Sequence, residues 1–110
     1  MAYDEELAER VRNLVAEEPG VVEKRMFGGL AFLIDGNMSV AASGGGGLLL
    51  RCAPAETDAL LDEPGADHFV MRGRPMTGWL RIDGDGIAGD EALKRWVTRA
   101  VAYARSLPPK

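Results

Sequence analysis

Four short strand-like segments between residues 21 and 52 constrain this chain more than any other feature, because the links between them are too short for crossovers. Val21 to Phe27 is β-branched and aromatic, and it stops at Gly28-Gly29. Leu30 to Ile34 is an apolar run, followed by Asp35-Gly36, a dipeptide suited to a type I′ hairpin turn. Met38 to Ala42 and Leu48 to Cys52 complete the set, with the glycine stretch Gly44 to Gly47 between them. Parallel pairing needs a connection of about a dozen residues or more, so these segments predict an antiparallel meander.

The flanking segments have helical periodicity. Leu7, Val11, Leu14 and Val15 fall at i, i+4, i+7 and i+8, with Asp4 placed to cap and Pro19-Gly20 to stop the helix. Pro54 suits the first turn of a short helix over 54–62, closed by Pro64-Gly65. His68 to Met71 and Met76 to Ile82 read as two more strands around the turn Arg72-Gly73-Arg74-Pro75. Gly84 to Gly89 reads as a loop, with Asp90 capping a last helix to about Leu107. Leu93, Trp96, Val97, Ala100, Val101, Ala104 and Leu107 form its apolar arc. Met26, Phe27, Met71, Met76 and Trp79 are assigned to the core. The order α-β(4)-α-β(2)-α places the strands in runs, which predicts an α+β, two-layer fold. At 110 residues the chain fits one domain, residues 1–110.

Charge is distributed unevenly. The formal net charge is −4, which argues against direct nucleic-acid binding. Yet residues 1–20 hold six acids and two bases, whereas residues 92–110 hold five bases and no acid. Lys94, Arg95, Arg99 and Arg105 share one arc of the last helix, and with Arg72 and Arg74 they form the candidate interaction surface. A tight turn carrying two guanidinium groups suits a carboxylate or phosphate. Weak DNA binding through the last helix is a further reading. No apolar run approaches the ~18–20 residues of a membrane span, and the acidic N-terminus is unlike a presequence. The expected location is the cytoplasm.

No catalytic constellation assembles from the sequence, and neither a metal nor a cofactor is expected. Gly84-Asp85-Gly86-Ile87-Ala88-Gly89 spells G-x-G-x-x-G but lacks the following strand of a dinucleotide-binding unit. Asp83-Gly84-Asp85-Gly86 fails as a calcium loop, because Ile87 stands at a ligand position. A Cys52–His68 dyad is weak, since Cys52 ends an apolar strand.

Arg25-Met26-Phe27-Gly28-Gly29, Leu30 to Gly36, Leu48-Leu49-Leu50-Arg51, Arg74-Pro75-Met76 to Trp79 and the closing helix together resemble the N-terminal domain of the TfoX/Sxy competence regulators. Arg25, Met26, Phe27, Gly28, Gly29 and Gly36 carry the distinctive part. The resemblance implies a secretion-chaperone-like fold with helices on one side of an antiparallel sheet. It also implies a bacterial, non-enzymatic module that works with another protein, including a transcription activator. The larger regulators add a C-terminal helical domain, so the expectation here is a stand-alone N-terminal domain. The alternative is a small enzyme or a small-molecule or anion-binding domain, with its site near Phe27-Gly29 and Arg72. An exposed strand edge would permit a homodimer.

Overall fold

A computed structural model describes residues 3–26, 28–44 and 46–109. Helix α1 (Glu5–Leu14) begins where the Asp4 carboxylate accepts a hydrogen bond from the Leu7 N–H at 3.1 Å. The strands follow as β1 (Val21–Met26), β2 (Gly29–Ile34), β3 (Asn37–Ala42) and β4 (Leu48–Arg51). A 3₁₀ turn (Pro54–Glu56) and a short α2 (Thr57–Leu60) lead into β5 (Ala66–Met71) and β6 (Arg74–Ile82). Helices α3 (Asp85–Ala88) and α4 (Asp90–Ser106) close the chain.

All six strands form one antiparallel sheet in the order β1-β2-β3-β4-β6-β5. The expected meander is present, and Asp35 and Gly36 make the tight β2–β3 turn with φ of 51° and 86°. Helices α1 and α4 cover one face. Leu7, Val11, Leu93, Val97 and Ala100 pack there against Phe32, Ile34, Val40, Leu48, Leu50, Leu80 and Ile82. Each such aliphatic side chain contributes roughly 1.5–3 kcal/mol on burial. The apolar arc of α4 is as expected, with Leu107 half-buried just past the helix end. The other face has its own cluster of Ala31, Met38, Ala41 and Leu49, flanked by Met26, Leu33, Phe69 and Trp79.

Two irregularities shape the sheet. Phe32 pairs with Val40 but Leu33 pairs with Met38, so Ser39 is an extra residue in β3. Its buried hydroxyl donates to the Phe32 carbonyl at 2.8 Å. The bulge turns Met38 and Val40 to opposite faces although they are two residues apart. A larger slip separates the His68–Leu80 pair from Val70–Pro75, leaving Met76 to Trp79 opposite Phe69 alone. The chain after β4 holds this slack. Thr57 Oγ1 accepts the Gly78 N–H at 2.9 Å, and the Gly78 carbonyl accepts the Cys52 N–H at 2.9 Å.

Several local expectations need correction. The short helix expected over 54–62 is present but ends at Leu60 and opens with a 3₁₀ turn. Gly84 to Gly89 contains α3, a single helical turn. Asp90 is not the cap of α4: Gly89 occupies that position in extended geometry, and the Asp90 carboxylate pairs with Arg10 at 3.2 Å. The turn after β5 spans only Arg72-Gly73, with φ of 54° and 77°, while Arg74 and Pro75 already belong to β6. Met76 is 37% exposed rather than core, because the first half of β6 extends past the helical layer. Phe27 lies outside the described residues.

At the edge strand β1, Glu23 receives two hydrogen bonds from the Arg12 guanidinium, at 2.6 and 2.7 Å. They tie α1 to the sheet. This hydrogen bonding holds the Glu23 carboxyl below its ordinary value of 4.5. A depressed carboxyl stabilises the fold above its unfolded pKa and loses that contribution as pH falls through the folded value. Stability is therefore expected to drop below about pH 4.5, and Glu23→Gln should remove that share of the acid loss. Urea unfolding of both proteins at pH 3 to 7 checks this; identical acid slopes would contradict it.

Candidate interaction surface

The solvent face of α4 is built from residues out of phase with its buried arc. Lys94, Arg95, Thr98, Arg99, Ala102, Tyr103 and Ser106 line an open groove of about 680 Å³, to which Glu56 also contributes. Glu56 reaches Arg99 at 3.5 Å. The cations share this lining with Ala102 and Tyr103, so it joins positive charge to apolar surface. A second groove of about 350 Å³ runs between α4 and the end of α1, lined by Leu14, Val15, Glu18, Lys94 and Arg105 among others.

The four helix cations have different surroundings. Arg105 pairs with Glu18 at 3.4 Å and Asp35 at 3.5 Å, and it donates to the Pro19 carbonyl at 3.0 Å. It fastens the end of α4 to the α1–β1 connection and to the β2–β3 turn. Arg99 has Glu56. Lys94 and Arg95 are exposed and form no ion pair among the described residues. Arg72 and Arg74 are exposed at the β5–β6 hairpin tip, away from the face that α4 lays on β2, β3 and β4.

The structure does not bring Gly28-Gly29 and Arg72 together. The β1–β2 turn lies at the sheet end shared by Ala42, Leu48 and Ile82, whereas Arg72 lies at the opposite end, with β3 and β4 between. The glycines have a packing explanation. Gly28 has φ of 73°, and a Cβ on Gly29 would stand 1.9 Å from the Ala42 carbonyl oxygen. Gly44 is also tightly packed, since its Cβ would come within 2.5 Å of the Gly28 oxygen. Arg25 is exposed on β1, Met26 is half-buried at its end, and Gly36 completes the β2–β3 turn.

Cys52 and His68 also lie apart. The Cys52 thiol is buried 3.7 Å from Thr57 Oγ1, and burial pushes its pKa up. A thiol of that kind is a poor nucleophile at neutral pH. His68 is exposed on the edge strand β5. Among the described residues, no group of three or more His, Cys, Asp or Glu could hold a metal ion. No helix among them is long and apolar enough to cross a membrane.

Sequence patterning does not mark Arg51 as a site residue. Arg51 ends the apolar run Leu48-Leu49-Leu50. Its guanidinium carbon lies 5.7 Å from the Trp79 ring centroid and 5.8 Å from that of Tyr103, within cation–π range of both. The visible signal was a charge breaking an apolar strand. The rings came from segments 28 and 52 residues downstream.

These features define the class: an α+β domain of one six-stranded antiparallel sheet with a cation-lined helix along it. The sequence matches the family model of the TfoX N-terminal domain over residues 13–104 of 110, and the chain belongs to that family. The match includes all six strands and nearly all of α4. No curated protein and no solved structure was found to match the chain.

Proposed function

We propose that this domain is a non-enzymatic protein-interaction module that docks an acidic, partly apolar segment of a partner protein in the α4 groove. Its cellular role on this reading is that of a transcriptional co-regulator engaging an activator. The observation that carries the reading is charge complementarity: Lys94, Arg95 and Arg99 line the same open groove as Ala102 and Tyr103. A bound segment would place carboxylates on the cations and apolar side chains on Ala102 and Tyr103, which favours both orientation and rate of encounter. DNA binding through the same helix is the weaker reading. Its affinity would rest on phosphate contacts, which leave the apolar surface of Ala102 and Tyr103 in the same groove unused.

A photoreactive side chain in place of the exposed Ala102, introduced in native cells, tests this. The expected adduct is a polypeptide whose crosslinked peptide is rich in Asp and Glu. A nucleic-acid adduct, an adduct only with a second copy of the domain, or no adduct would overturn the proposal.

A further inference from the structure

We infer that Arg51 is an oxyanion receptor, anchoring a carboxylate of the segment docked against α4. The inference rests on the docking reading for the source of the anion. The chemistry rests on Arg51 itself.

Arginines of similar burial elsewhere in the molecule are neutralised. Arg10 has Asp90, Arg12 has Glu9 and Glu23, and Arg81 has Asp83. Arg51 is equally half-buried, yet no hydrogen bond or ion pair engages its guanidinium among the described residues. Its contacts are instead the Trp79 and Tyr103 rings. Ring contacts favour the charge and fix the plane of the group but use none of its five N–H donors. No buried side-chain nitrogen among the described residues lacks a partner, so these donors reach solvent. A planar donor fork whose orientation is already fixed loses little freedom on meeting a carboxylate or phosphate in bidentate fashion.

Tyr103 connects this fork to the groove. Tyr103 packs against Arg51 and also lines the groove with Lys94, Arg95 and Arg99. Arg51 is itself fixed from below, because it pairs with Trp79 across β4 and β6 and Trp79 packs on Phe69 with ring centroids 6.4 Å apart. One residue thus joins the rigid sheet to the α4 surface.

The test is a nuclear magnetic resonance titration of the ¹⁵N-labelled protein at constant ionic strength. One arm adds a capped tetraglutamate peptide and the other adds inorganic phosphate. The Arg51 Nε–H and Trp79 indole N–H are the reporters. The expected result is a saturable shift of both with the peptide, and a dissociation constant about tenfold larger in Arg51→Lys, which keeps the charge and loses the fork. Tyr103→Leu, which withdraws one ring and leaves Arg51 in place, should weaken the same shifts and serves if Arg51→Lys does not fold. Shifts with phosphate alone would retain the oxyanion site and overturn its occupation by a docked segment. Shifts confined to Arg72 and Arg74, or equal affinity in Arg51→Lys, would overturn the receptor. A crosslink at Ala102 that survives in Arg51→Lys at wild-type yield would overturn the anchoring role while leaving the groove reading intact.

Discussion

Gly29→Ala is expected to destabilise the domain by at least about 3 kcal/mol, a large share of the ~5–15 kcal/mol that holds a typical domain together. The added Cβ would lie 1.9 Å from the Ala42 carbonyl oxygen and 3.0 Å from the Gly44 nitrogen. Both obstacles are backbone, in β3 and in the β3–β4 connection, so no side chain can rotate away. Relief requires moving β2 from β3, whose pairing at Leu30–Ala42 begins one residue later. Overpacking of this type usually costs about 1–3 kcal/mol, and a contact with unyielding backbone belongs at or above the top of that range. Two other glycines calibrate the result. Gly28→Ala has room, with Gly44 Cα 3.9 Å away, but its φ of 73° imposes a left-handed penalty of about 1–2 kcal/mol. Gly89→Ala meets nothing within 4 Å at a φ of −88° and should change stability by less than about 0.5 kcal/mol. Urea unfolding at 25 °C checks the order Gly29, Gly28, Gly89. A Gly29→Ala loss no greater than that of Gly89→Ala would show that the two strands can part without cost.

The Gly28-Gly29 pair illustrates how far the sequence could be read. Its position between two strand-like segments was visible, as were the short links that enforce antiparallel pairing and the apolar arc of α4. All three depend on periodicity or on neighbours a few residues apart. What the pair packs against was not visible, because Ala42 and Gly44 come from another strand and its loop. The Ser39 bulge escaped for a related reason. Met38 to Ala42 is almost wholly apolar or small, so no alternation marks the residue at which the facing reverses. Met76 has a side chain that suits a core, while its exposure depends on how far β6 outruns the helices. The candidate surface divides in the same manner. Lys94, Arg95 and Arg99 follow from helical spacing alone. The capture of Arg105 by Glu18 and Asp35, and the ring contacts of Arg51, exist only once distant segments are brought together.

Lys94→Glu with Arg95→Glu is expected to abolish docking in the α4 groove while leaving the fold intact. The two residues are exposed and make no ion pair among the described residues, so their replacement removes no internal clamp. Both lie in the first half of α4, where the helix dipole tolerates negative charge. New repulsion with Asp90 and Glu91, one turn back, costs only a few tenths of a kcal/mol per pair. At the groove the change is much larger. Two attractions for an acidic segment become two repulsions, at about 1 kcal/mol for each attraction lost and as much again for each repulsion gained. A loss of at least about a hundredfold in partner affinity follows. Arg72→Ala with Arg74→Ala is the comparison. It removes the same number of cations from the hairpin tip, so the net charge changes in the same direction, yet on this reading the tip is not the docking surface. The measurement is crosslink yield at Ala102 in the three backgrounds, beside urea midpoints for each. If the hairpin pair lowers the yield and the α4 pair does not, the partner docks at the tip, and the groove is an ordinary solvated helix face.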